Sequence, residues 1–209
     1  MSDRLVTDWL LAGQLDLPLP GRGQTMRRWR RLSELTETDV VAGRLAEAHA
    51  DAIAILAELD AFTPPPGELW GVWAAEAPDA SVTARRAGEG FVLDGVKAWC
   101  SGAGLCARAL VTALLDTGTR ALFAVDLRDD AVRPLSSDWH NCGMAASYTR
   151  SVEFLGAQAI PVGRPGAYLE RPGFWFGAIG VAACWLGGAR AVAAPLYRRV
   201  ASGGADAHA

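Results

Sequence analysis

The hydrophobic period changes twice along the chain. Up to about residue 66 the apolar positions keep helical spacing: Val40, Val41, Leu45, Ala48, Ala52, Ile53, Ile55, Leu56 and Leu59 recur behind Thr36 or Thr38, the expected N-cap. Pro64-Pro65-Pro66-Gly67 ends that pattern, since proline lacks an amide donor and clashes with the preceding turn. From Glu68 to about Gly156 the period becomes two. Strands are predicted at Leu69–Ala74, Ser81–Ala87, Phe91–Leu93, Val96–Cys100, Ala109–Leu115, Ala121–Leu127 and Thr149–Phe154. Turns are predicted at Gly88-Glu89-Gly90, Asp94-Gly95, Asp116-Thr117-Gly118 and Arg128-Asp129-Asp130, with Asp94-Gly95 read as a two-residue hairpin loop. After Gly163-Arg164-Pro165-Gly166 the helical period returns from Phe174 through Tyr197, until Pro195 bends the helix or Ser202-Gly203-Gly204 ends it.

This order predicts an α+β chain, with an N-terminal helical domain over 1–67, a barrel-like or sandwich β-domain over 68–163, and helix again over 164–209. A helix as apolar as Phe174–Tyr197 does not stand alone in water, so it is expected to pack on the first segment or on another chain. Its uncharged run, Gly173 to Ala189, is just short of the roughly 20 residues that a spanning helix needs. Gly177, Gly180, Gly187 and Gly188 suit close packing between helices. A buried helix rather than a membrane span is the expectation.

With 51% hydrophobic and 21% charged residues among 209, the composition is that of packed domains rather than a disordered chain. A net charge of -3 with no basic stripe argues against a nucleic-acid partner. Cys100, Cys106, Cys142 and Cys184 show neither CxxC spacing nor a Cys/His cluster, so no metal is expected, and without a secretory segment the thiols read as reduced in a cytoplasmic protein. His49, inside a helix, reads as a satisfied or polar-face histidine. His140, in the polar turn Ser136–Asn141, and the arginines Arg85, Arg86, Arg190, Arg198 and Arg199 read as solvated surface.

The chemistry is concentrated in two stretches: Gly71-Val-Trp-Ala-Ala-Glu-Ala-Pro78, a strand and turn, and Gly90-Phe-Val-Leu-Asp-Gly-Val-Lys-Ala-Trp-Cys-Ser101, which ends on an indole and a hydroxyl side by side. Together they resemble the flavin-binding β-domain of the acyl-CoA dehydrogenase family, in which a Thr-Glu-Pro turn and a Lys-x-Trp-Ile-Thr/Ser strand hold FAD. The stretch from Trp139 to Phe154, with Gly143-Met144-Ala145-Ala146-Ser147, is similar to the family's Gly-Met-Arg-Ala-Ser segment and following strand. Pro161–Leu169 and Gly177–Ala189 are similar to the link and first helix of the family's C-terminal bundle.

What the resemblance implies is an oxidoreductase with FAD as cofactor. It assigns Trp99 to the flavin face, Ser101 to the neighbourhood of flavin N5, and the backbone of Ala74, Ala75 and Glu76 to the cofactor. An indole offers flat apolar contact to a tricyclic ring, and a hydroxyl can hold the nitrogen that accepts hydride. Taken alone, Trp99 would read as core at a hairpin end. The first motif departs from the family: Ala75-Glu76-Ala77-Pro78 lacks the threonine hydroxyl, and the Gly-Ser-Asp portion is missing, with Asp79-Ala80-Ser81 as its remnant. Main-chain donors do not depend on the lost side chain.

The family's catalytic carboxylate comes from the C-terminal bundle, and neither Glu153 nor Glu170 matches it, so no catalytic residue is assigned. Three functions follow. The first is an acyl-CoA dehydrogenase-like flavoprotein acting on a small-molecule substrate such as an acyl-CoA, its bundle completed by a longer chain, by a homo-oligomer or by a partner subunit. The second is a flavin-dependent monooxygenase of the same fold. The third is a non-catalytic interaction module derived from it.

Overall fold

A computed structural model of the chain describes residues 1–136 and 142–201; His140, with its neighbours over 137–141, lies outside the described residues. Three helices come first: α1 (Ser2–Leu11), α2 (Thr25–Thr38) and α3 (Val40–Glu58). The break between α2 and α3 is at Asp39, and this corrects the expected cap. Asp39 is extended, and its carboxylate accepts from the Ala42 amide at 2.8 Å. Thr36 and Thr38 end α2 instead, their hydroxyls donating back to the Leu32 and Glu34 carbonyls.

Seven strands follow: β1 (Trp70–Trp73), β2 (Val82–Ala87), β3 (Gly90–Cys100), β4 (Arg108–Leu115), β5 (Arg120–Asp126), β6 (Val132–Pro134) and β7 (Arg150–Pro161). The ring β4-β2-β3-β7-β5 closes through the β4–β5 ladder, with β1 continuing the edge of β4 beyond β2 and β6 pairing with β7. This closed five-strand barrel with its flanking helices is the α+β architecture expected. Closure removes the exposed edges that an open sheet would present. Leu93, Val111, Phe123, Val152 and Phe154 fill the barrel. Ala52, Ile55 and Leu56 of α3 cover Trp70, Leu110 and Leu122 on its outer wall. Each such large side chain contributes about 1.5–3 kcal/mol by leaving water.

One strand departs from its sequence pattern. Phe91–Leu93 and Val96–Cys100 are a single strand, β3, and Asp94-Gly95 makes no hairpin. The loop between β2 and β3 is Gly88-Glu89, closed by the Ala87–Gly90 pair. The register against β7 shifts between Leu93 and Asp94, where Gly156 of β7, at φ +74, is the extra residue, while Gly95, at φ +121, stays paired with Val82 and Phe154, and a Cβ on it would collide with the Ser81 carbonyl. A close backbone approach inside a strand and a hairpin loop both call for glycine at positive φ, and only the pairing partners separate them.

Beyond the barrel come the single turn α4 (Ala167–Glu170) and the long α5 (Phe174–Ala201), which contains Pro195. Helix α5 packs on the first segment: Gly180 and Gly187 meet Leu32 and Ser33 of α2, while Gly177 and Gly188 meet Asp51 and Val40 of α3. Its length and apolar composition would also suit a membrane span, with a mean hydropathy of 1.4 over the most apolar window. The glycine face is nonetheless occupied by α2 and α3, and Trp175, Leu186, Val192, Leu196 and Tyr197 of the same helix are exposed.

Candidate functional site

Where β3 ends, the ladder to β7 shifts register between Lys97 and Cys100, so one extra residue is inserted and Trp99 takes φ +57. A bulky residue in left-handed backbone is strained, and a bulge re-aims the side chain it carries. Here the effect is to turn the indole out of the barrel. Trp99 is 50% exposed beside a groove of about 700 Å³ bounded by the barrel end, α3 and α5. The indole is therefore not sealed in the interior, and the groove lies within the size range of small-molecule sites.

Ser101 lines the same groove with Ser147 and Thr149. The three hydroxyls form a chain, Ser101 Oγ to Thr149 Oγ1 at 2.8 Å and Thr149 Oγ1 to Ser147 Oγ at 2.7 Å. The Ser101 carbonyl is held from behind by the Trp73 indole N–H at 2.9 Å, and the Gly102 amide donates to the Ser147 carbonyl at 2.7 Å. These bonds orient Ser101 before any ligand arrives, the arrangement that a hydrogen-bonding site requires.

Ala74, Ala75 and Glu76 are not among the groove-lining residues. Their turn is clamped to the barrel by Lys97, the only lysine in the sequence, whose side chain is buried. Lys97 Nζ donates to Glu76 Oε1 at 2.9 Å and to Thr112 Oγ1 at 2.8 Å, and Thr112 Oγ1 also donates to Glu76 Oε1 at 2.8 Å. Although partial burial opposes it, these bonds hold the Glu76 carboxyl below its ordinary range.

The sequence reading missed the charged wall of the groove. Arg44, Glu47, Ala48 and Asp51 fall at i, i+3, i+4 and i+7 on the α3 face that lines it, and Arg171 lies across from them. Glu47 pairs with Arg44 at 2.5 Å, Asp51 with Arg171 at 3.6 Å, and Arg171 with Glu58 at 2.9 Å. Burial pushes the Glu47 carboxyl up to about 7 against the pull of Arg44, and pushes Asp51 up against Arg171 and Arg28. One signal was available in the sequence: three charges at helical spacing interrupt an otherwise apolar helix.

His49, on another face of α3, is buried, and its Nδ1 accepts from the Trp70 amide at 3.2 Å, tying α3 to β1. Burial pushes the Cys100 and Cys106 thiols up, Cys106 to about 12, so neither offers a thiolate nucleophile.

No protein-family model and no curated protein matches the sequence. Solved structures do match in fold. An electron transferring flavoprotein of Acidaminococcus fermentans, studied for flavin-based electron bifurcation, aligns with a TM-score of 0.73 at 19% identity over 91% of this chain and 58% of its own. A nitrososynthase from Micromonospora carbonacea var. africana aligns with a TM-score of 0.71 at 21% identity over 95% of this chain and 59% of its own. The dibenzothiophene monooxygenase TdsC from Paenibacillus sp. A11-2, in complex with FMN and indole, aligns with a TM-score of 0.64 at 18% identity over 91% and 60%. The chain thus spans less than two thirds of the length of each. At these identities the likeness shows the fold, which is the acyl-CoA dehydrogenase-like fold of flavin-dependent proteins.

Proposed function

We propose that the chain is the N-terminal and middle portion of a flavin-dependent oxidoreductase, with the flavin ring against Trp99 and its N5 edge toward Ser101. The observation that carries this reading is the strained Trp99 backbone, which holds an exposed indole at a groove of about 700 Å³. A bound flavin would supply two-electron chemistry there, accepting a hydride or, once reduced, meeting oxygen. The residues of this chain do the rest: Trp99 stacks, and the Ser101–Thr149–Ser147 hydroxyls bond a polar ring edge. Either FAD or FMN fits this role, since no contact beyond the ring is assigned.

Two reactions compete. Dehydrogenation of an acyl thioester needs a base from a bundle that a longer chain, a second copy or a partner subunit supplies. Monooxygenation on the same scaffold needs no such base and is supported by the likeness to a monooxygenase.

Titration of the purified protein with FAD and FMN separately, followed by flavin fluorescence, tests the proposal. Uptake of one of them is expected, with about tenfold weaker binding in Trp99→Ala, the loss that about 1.4 kcal/mol of ring contact predicts. No uptake of either flavin, or equal affinity in the variant, sinks the reading. Anaerobic bleaching of the loaded protein by octanoyl-CoA would select dehydrogenation over monooxygenation.

A further inference from the structure

The groove is lined mostly by apolar side chains, among them Leu45, Val72, Met144, Val181 and Trp185, a lining that suits an aliphatic or aromatic ligand. A carboxyl group set among them is costly to ionise and is therefore a stronger base than it would be in water. Glu47 is such a group.

Helix α3 carries it on the side away from the barrel. Two residues earlier, Leu45 reaches the barrel end, where a Cβ on Gly102 would stand 3.4 Å from its Cδ2. Glu47 lies against α5 instead, where a Cβ on Gly180 would stand 3.6 Å from its Oε1. Two residues are about 200° round a helix, so Glu47 and Trp99 belong to facing walls of one groove.

The two carboxyl oxygens are not equivalent. Oε2 accepts from Arg44 Nη1 at 2.5 Å, and Oε1 has no hydrogen bond among the described residues. Asp51 Oδ1 is sealed without a partner; Glu47 Oε1 is not so sealed and leaves an open edge on the groove. The charged and titratable groups that face Glu47 are Arg28 on α2, Arg44 and Asp51 on α3, Tyr168 on α4 and Cys184 on α5. Burial, helped by Asp51, outweighs the two arginines and pushes the carboxyl up to about 7, which leaves roughly half of it ionised at neutral pH.

We infer that Glu47 is the proton acceptor of the groove, taking a proton through Oε1 from a carbon or nitrogen acid bound between Trp99 and α5. This deepens the assignment of the groove as a flavin site and rests on it. In the oxidation of such a ligand, a C–H or N–H proton passes to Glu47 while the hydrogen on the adjacent carbon leaves with its electron pair as hydride to the oxidised flavin. A double bond forms in the ligand, and the two electrons it loses reduce the cofactor. Base and hydride acceptor then meet the ligand from opposite walls. Arg44 has a positioning role, since by holding Oε2 it fixes the direction of Oε1. This base belongs to the chain itself, apart from any carboxylate that a completing bundle brings.

Nitrobenzisoxazole tests the acceptor without a flavin. It is an apolar bicyclic carbon acid that opens to a coloured cyanophenolate when a base removes its ring proton and the N–O bond breaks, with no oxidant or reductant required. The full chain is expected to turn it over at least tenfold faster than Glu47→Gln, with Glu47→Asp between them because its carboxylate is set back by one methylene, and circular dichroism establishes that the variants fold. The rate of the unaltered chain should rise with pH through about 7 and then level, a readout that needs no variant. A rate that only follows free acetate across the pH range, or equal turnover in folded Glu47→Gln, overturns the inference and leaves Glu47 as an ion-pair partner of Arg44 alone. FAD and FMN titrations of the same samples keep the two readings apart: flavin uptake without Glu47-dependent turnover removes only this inference, and turnover without flavin uptake removes only the cofactor.

Discussion

Glu47 and His49 lie two residues apart on α3 and are shifted in opposite senses by the same burial, Glu47 up to about 7 and His49 down to about 4. For His49 the folded value lies below the ordinary 6.5. Its contribution to stability is present above about pH 6.5 and is lost as pH falls toward about 4, on the order of 3 kcal/mol in full. For Glu47 the folded value lies above the ordinary 4.5, so its contribution is complete below about pH 4.5 and is lost as pH rises through about 7. Melting temperature against pH should therefore lose part of its acid slope in His49→Gln and part of its decline from 4.5 to 7 in Glu47→Gln; parallel curves for all three proteins would contradict this. Lys97→Met removes the cation that Glu76 and Thr112 share. Denaturant unfolding should show a loss near the low end of the ~3–5 kcal/mol typical of breaking a buried pair, because Glu76 is partly solvated.

At the scale of elements, glycine decides how closely α5 approaches α2. A Cβ on Gly187 would overlap the Ser33 carbonyl oxygen, which belongs to the helix backbone and cannot turn aside. Gly187→Ala, although better for helix propensity, should lower stability by about 1–3 kcal/mol through overpacking. Unchanged or raised stability in chemical unfolding would mean that the helices separate freely. Glycine was legible as a packing residue in α5 because four glycines recur in one apolar run. It was ambiguous at Gly95, where a close backbone approach inside a strand and a hairpin loop carry the same local signature. The α2–α3 break was placed at the threonines because they cap helices well, yet it is Asp39, one residue on, that takes the extended backbone.

Over the whole molecule, α5 leaves Trp175, Leu186, Val192, Leu196 and Tyr197 exposed along one helix, away from the groove. An apolar surface of this kind marks an interaction site. The chain is expected to associate through it, with itself or with a completing helical domain. Sedimentation of the isolated chain should show species larger than a monomer at micromolar concentration, and Leu186→Glu should shift them toward monomer while leaving the melting temperature within a few degrees. A chain that stays monomeric at all concentrations, with or without the substitution, would remove the self-association arm.

The sequence by itself determined the order of helix, barrel and helix, because hydrophobic period is a local property of the chain and each change of period is punctuated by proline or glycine. It also marked Trp99 and Ser101, neighbours in one motif. Only the tertiary structure decided that a bulge turns the indole outward, that Thr149 and Ser147 join Ser101, and that Arg44, Glu47 and Asp51 face the same groove as Trp99. Those residues are separated along the chain by whole elements, and what brings them together is the closure of the barrel and the docking of α3 and α5 beside it.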